Sequence, residues 1–121
     1  MKKLYTLFIP VLFAVLGTTA WAAAPHLEIV TGTEWTDSSL EQKRAYLFGV
    51  GNVLQIERAM AGDGYQDLRG NSIVPVLLDG LSGVPLDDIV MQLDKYYADN
   101  PAQSKRPVIE VLYLEMALPN L

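Results

Sequence analysis

Cysteine is absent from all 121 residues, and histidine occurs once, at His26. Without thiols there is no disulfide and no lipid-attachment site, so an exported domain of this size must fold by packing alone. One imidazole and no thiolate exclude zinc and iron sites of the usual kinds, and the Glu-x-x-His pairs of di-iron bundles are missing as well. His26 as an amino-terminal copper ligand also fails: it falls fourth if cleavage follows Ala22, and cleavage one residue later places Pro25, which lacks an amide hydrogen, second. The expectation is therefore no metal and no cofactor. A serine triad is out of reach with one histidine in the N-terminal lead. Phosphate-cradling patterns are missing too, because Ala61–Gly70 (AGDGYQDLRG) follows a helical pattern and contains no GKS or GKT.

Positive charge is scarce. The chain has 9 Lys and Arg against 14 Asp and Glu. Lys2 and Lys3 lie in an apparent leader, so the remainder has seven basic against fourteen acidic side chains and a net charge of −7. Nucleic acid and anionic membrane surfaces reward clustered Lys and Arg, and neither is an expected partner.

The leader has a short basic start, an apolar run from Leu7 to Leu16 broken only by Pro10, and the small-x-small pattern Ala20-Trp21-Ala22. This reads as a secretory signal peptide over residues 1–22, giving Ala23 as the new N-terminus and a periplasmic or secreted location. The rival reading is a retained anchor, since about 22 uncharged residues separate Lys3 from His26; Thr6, Gly17, Thr18 and Thr19 dilute that run.

Residues 23–37 read as an extended, partly mobile lead anchored by Leu27, Ile29 and Val30, and residues 38–121 as the helical domain. Ser38 with Glu41 forms a capping-box pattern. A long helix is predicted from about Ser39 to Ala61 on Leu40, Leu47, Val50 and Leu54, with Tyr46, Val53, Ile56 and Met60 widening the apolar stripe. Gly49 and Gly51 inside it are expected to admit another helix closely. Ala61–Ser72, dense in Gly, Asp and Asn, is predicted as the main loop. Three further helices follow: Ile73 to Leu81 with Gly83 beyond its end, one opened by Pro85 and running through Tyr97, and one from Pro107 to about Leu118. No run alternates as a strand does, so the predicted class is all-α, a small bundle of four main helices.

Two groups of residues carry the chemical expectations. Glu110 and Glu115 are the only charges between Pro107 and Pro119. In an α-helix, five residues place them about 140° apart, so they cannot act on one bond from the same helix. Glu57, with Arg58 beside it, could face one of them, either as an acid–base pair or as a buried polar network of Glu57, Arg58, Glu110 and Glu115 with nearby tyrosines. The network is the reading carried forward, and no catalytic residue is expected. The second group is Asp63, Tyr65, Asp67 and Arg69 on the long loop, taken as a partner-binding surface; its acid spacing is not that of a calcium loop. The last helix, PVIEVLYLEMALP, is apolar almost all round, which implies burial in the bundle or against a second copy or partner.

The run from Gly80 to Asn120, with its Gly-Val and acidic start at Gly83–Asp88, Lys95-Tyr96-Tyr97 before Asn100-Pro101, and a closing Pro119, resembles the C-terminal half of the Rap/Tai immunity domains. These are small periplasmic helical proteins that neutralise cell-wall amidases delivered by type VI secretion. With the Gly49-Val50-Gly51 segment included, the resemblance covers Tyr46 to Asn120. It departs from the family at Asn120, where a cysteine typically follows the closing proline. The resemblance implies a protein-binding, non-enzymatic domain whose partner is a cell-wall hydrolase. The alternatives from the residues alone are a periplasmic acid-stress chaperone of the HdeA kind, a structural homodimer, or a small enzyme using Glu57 with Glu110 or Glu115.

Overall fold

The computed structural model describes residues 27–121; the leader and His26 lie outside the described residues. The described chain is 78% helical without a strand, an all-α small bundle. Its elements are α1 (Gly32–Asp37), α2 (Leu40–Ala61), a 3₁₀ segment (Gly62–Gly70), α3 (Val74–Gly80), α4 (Leu86–Asp99) and α5 (Val108–Val111). From α5 the chain runs on into a π turn (Leu112–Ala117) and a last 3₁₀ turn (Leu118–Asn120).

The first difference from the sequence reading is at the lead. Residues 32–37 are helical, not extended, and they are held at both ends. Thr31 and Glu34 form a capping box: Thr31 Oγ1 accepts from the Thr33 amide at 3.3 Å, and the Glu34 carboxylate accepts from the Thr31 amide at 2.9 Å. Trp35, 1% exposed, is the anchor, whereas Leu27 and Ile29 are exposed. Its indole N–H donates to Asp94 Oδ1 of α4 at 2.8 Å, and Lys43 of α2 lies over the ring, 5.5 Å from its centroid, while donating to the same oxygen at 2.9 Å. The segment also runs beside the entry to α5. The Gly32 and Thr33 amides donate to the Arg106 and Ser104 carbonyls, and the Val108 amide donates to the Val30 carbonyl. At Gly32 a Cβ would overlap the Tyr97 ring, so only glycine lets α1 sit this close to α4.

The capping box of α2 is one residue later than the sequence reading placed it. Ser39 Oγ accepts from the Gln42 amide at 3.2 Å and Gln42 Oε1 accepts from the Ser39 amide at 2.8 Å. Ser38 instead closes α1, its hydroxyl donating to the Glu34 carbonyl at 2.6 Å. The buried side of α2 is narrow, Leu47 and Leu54 with Val50 half-buried. Ion pairs then fasten it to α4: Arg44 donates twice to Asp87, at 2.8 and 2.9 Å, beside the Lys43–Asp94 pair.

Ala61–Ser72 is not an open loop. Gly62–Gly70 winds as a 3₁₀ segment, long for a helix with such strained hydrogen bonds. Tyr65 plugs it into the core, which offsets the weak backbone geometry. The core itself centres on α3, α4 and the last helix: Pro75, Leu77, Leu93, Val108, Val111 and Leu112 are almost fully enclosed. Gly80 permits that packing, since a Cβ there would overlap the backbone of Ala117. The close-approach glycines are thus Gly32 and Gly80; a Cβ at Gly49 or Gly51 would meet nothing within 4 Å.

The last helix is also not one regular α-helix. After Val111 the winding widens to a π turn, in which hydrogen bonds span five residues. Val108, Val111, Leu112, Met116 and Ala117 are buried inside the bundle, leaving Leu114, Leu118 and Leu121 outward. Most of its apolar surface is used within the chain.

Candidate functional site

The wider winding changes the geometry of the two glutamates. Residues five apart in a π turn stack about one turn above each other, whereas the same spacing in an α-helix separates them by about 140°. Glu110 and Glu115 accordingly meet on one guanidinium: Arg106 Nε donates to Glu110 at 2.7 Å and its Nη1 to Glu115 at 2.6 Å. The same Nη1 lies 2.6 Å from the Tyr96 hydroxyl, and the Arg106 carbonyl accepts from the Tyr97 hydroxyl at 3.0 Å. Hydrogen bonds to Glu110 and Glu115 hold the Arg106 guanidinium above its ordinary pKa, and burial pushes the Tyr97 hydroxyl up to about 12.

This junction corrects the expected buried network. Among the described residues no polar or charged residue is buried. Both glutamates stay nearly half exposed. Glu57 and Arg58, exposed on α2, make no hydrogen bond or ion pair with Glu110 or Glu115 among the described residues. Glu57 borders a shallow depression with Met60 and Leu68, and Glu115 a different one with Lys95 and Asn100. The geometry therefore supplies two carboxylates neutralised by one cation, with the third elsewhere, which is not an acid–base pair around one substrate.

The loop candidates separate in the same way. Tyr65 is buried and is not part of a contact surface; its hydroxyl lies 3.4 Å from Asp79 Oδ1, and the Arg58 guanidinium stands 5.1 Å from its ring centroid. Burial, with Asp79 alongside, holds that hydroxyl above the usual tyrosine range. Arg69 is exposed but engaged, paired with Asp79 and donating to Gln66 at 3.0 Å. Asp63 and Asp67 face solvent. A Gly- and Asp-rich stretch reads as a solvated loop, and only its single aromatic residue, Tyr65, signals that it is anchored in the core.

Two further surface features lie outside these candidates. The first is the outer side of α2, where Phe48, Val53, Ile56 and Met60 are 67%, 63%, 60% and 83% exposed. Ala45, Gly49, Asn52 and Ala59 lie between them, also exposed, so this side of α2 carries no charge from Ala45 to Met60, a length of about 22 Å. Leu68 of the 3₁₀ segment extends it past Met60 as a shallow depression. The sequence signal was present: apolar residues at 53, 56 and 60 lie roughly opposite Leu47 and Leu54, which makes two stripes rather than one wide one.

The second is a cleft of about 360 Å³ between α2, α3 and the start of α4. Leu54, Leu77 and Leu112 form its floor, Gly51 leaves part of the α2 wall open, and Gln55, Arg58 and Ser82 are the polar groups on its lining. Five of the seven cations among the described residues are held in ion pairs; Arg58 and Lys105 are not.

Fold and surface together define a small all-α bundle with an exposed apolar face and a separate apolar cleft. No family model, curated protein or solved structure matches the chain. Among the described residues no helix is long and apolar enough to cross a membrane, and no cluster of three or more acidic or histidine side chains is placed to hold a metal ion.

Proposed function

We propose that this is an exported helical domain that works by binding another protein, through the outer face of α2, and not by catalysis. The observation that carries the reading is the uncharged stripe from Ala45 to Met60 with its four large exposed side chains. Contiguous apolar patches of several hundred Å² on a small monomer mark contact surfaces, and a straight apolar helix face suits a partner ridge or helix laid along it. Acids surround the stripe, with Glu41 and Glu57 on α2 and Asp63 and Asp67 beyond its end, in a chain of net charge −7 after the leader. The fitting partner therefore carries an apolar ridge with a basic rim. The resemblance of Gly80–Asn120 to immunity domains supports the finer reading: a periplasmic antidote whose partner is a cell-wall hydrolase.

The test is affinity capture of the tagged exported protein from periplasmic extract, in parallel with Ile56→Glu. Because Ile56 faces solvent, the variant is expected to fold with an unchanged unfolding midpoint while losing at least ten-fold in partner affinity. A stoichiometric cell-wall hydrolase captured by the parent and lost by the variant is the expected result. A partner held equally well by Ile56→Glu would overturn the assignment of the surface.

A further inference from the structure

We propose that the cleft between α2, α3 and α4 is a binding site for a single aliphatic chain with an anionic head. Its volume of about 360 Å³ lies at the small end of ligand pockets, enough for one chain. Its interior is aliphatic, formed by leucines of α2, α3, α4 and the π turn, and holds no carboxylate that would repel an acid. Its polar groups are Gln55 and Arg58, one turn apart on α2, and Ser82 in the turn after α3.

Arg58 sets the charge of the ligand. It has no carboxylate partner among the described residues, although acids outnumber bases two to one beyond the leader. Asp79, which the Tyr65 hydroxyl also reaches, is taken by Arg69. The Tyr65 ring lies 5.1 Å from the guanidinium carbon and supports it without neutralising it. A guanidinium so held at the edge of an apolar cleft matches a carboxylate or phosphate head while the tail displaces water from the partly exposed Leu78, Leu81 and Leu86 of its rim. Gly51 keeps the cleft open: a Cβ there meets nothing within 4 Å, so any longer side chain would project into the space the tail needs.

The experiment is calorimetric titration of the purified exported protein, below the micelle concentration of each probe, with dodecanoate, lysophosphatidylglycerol and the uncharged dodecyl maltoside. Saturable one-to-one binding of an anionic probe is expected. Arg58→Gln should weaken it at least ten-fold and leave dodecyl maltoside unchanged. Gly51→Leu should abolish binding of all three while holding or raising the unfolding midpoint, since leucine suits a helix interior better than glycine. Tighter dodecanoate than lysophosphatidylglycerol identifies a free acid as the ligand, and the reverse order a lipid, both within the same chemistry. No saturable binding of either anion, binding that survives Gly51→Leu, or indifference to Arg58→Gln would overturn the proposal. The α2 outer face takes no part in the titration, so Ile56→Glu should leave it unchanged.

Discussion

Glycine has opposite meanings at two positions in this chain. Gly49 lies within α2 on its outer side, with open space where a side chain would be. Gly80 ends α3 against the backbone of Ala117. Alanine is favoured over glycine in a helix interior by about 1 kcal/mol, so Gly49→Ala should stabilise by about 0.5–1 kcal/mol. At Gly80 the added methyl meets a carbonyl that cannot swing aside as a side chain would, and overpacking of this kind costs about 1–3 kcal/mol. Urea unfolding of the two variants is therefore expected to move the midpoint in opposite directions. A Gly80→Ala midpoint at or above the parent's would mean that α3 and the π turn are not packed this closely. Trp35 shows a different kind of residue-scale information. One indole, buried and donating to Asp94, fixes a six-residue helix that has almost no periodicity to announce it.

At the scale of elements, the chain's legibility tracks hydrophobic period and punctuation. α2 and α4 are foreseen because Leu47, Leu54, Ile89, Val90 and Leu93 recur at helical spacing and because Pro85, Asn100 and Pro101 mark clear boundaries, and α3 because Pro75 suits its first turn and Gly83 lies just past its end. The 3₁₀ segment and α1 are not foreseen, since each is held by one aromatic side chain and a few long-range hydrogen bonds rather than by a repeat. The π turn is invisible for a stricter reason: its sequence is as apolar as an α-helix, and only packing against α3 distinguishes the windings. Of the candidate site residues, Glu110 and Glu115 do form a constellation, but with Arg106, a residue in a link the sequence reading passed over. This pairing gives a measurable coupling. Glu110→Gln or Glu115→Gln alone should cost less than about 1 kcal/mol, because the other glutamate still neutralises the guanidinium and surface pairs are weak. The double variant leaves Arg106, largely covered, with neutral acceptors only and no carboxylate, and should cost more than the two singles together. Strict additivity in thermal unfolding would mean that the two carboxylates do not share a partner.

For the whole molecule, pH acts at two ends. On the acid side, the hydrogen bonds from Thr31 hold Glu34 below its ordinary 4.5, and the hydrogen bonds from Arg44 hold Asp87 below its ordinary 3.8. A carboxylate whose folded pKa is depressed contributes stability that is present above its unfolded pKa and lost as pH falls through the folded value, so these contributions disappear below about pH 4.5. Both groups are on the surface, so the acid limb they produce should be shallow and reduced by salt. On the alkaline side, Tyr97 is raised by burial to about 12. A raised folded pKa contributes stability that is complete below the unfolded value near 10 and is lost as pH climbs toward 12, so the alkaline limb reports the core between α1 and α4. The expected unfolding midpoint is level from about pH 5 to 9, declines gently below 4.5 and falls more steeply above 10. This profile also separates the two binding readings. A chaperone released by acid needs cooperative opening between pH 7 and pH 3, which exposed ion pairs spread over the surface do not provide, whereas a docking domain needs only that the bundle persist. Circular dichroism melts at pH 7, 4 and 3, in low and high salt, decide between them: retained helix with a modest, salt-damped drop is the expected outcome, and complete unfolding before pH 4 would favour the acid-released chaperone over docking through α2.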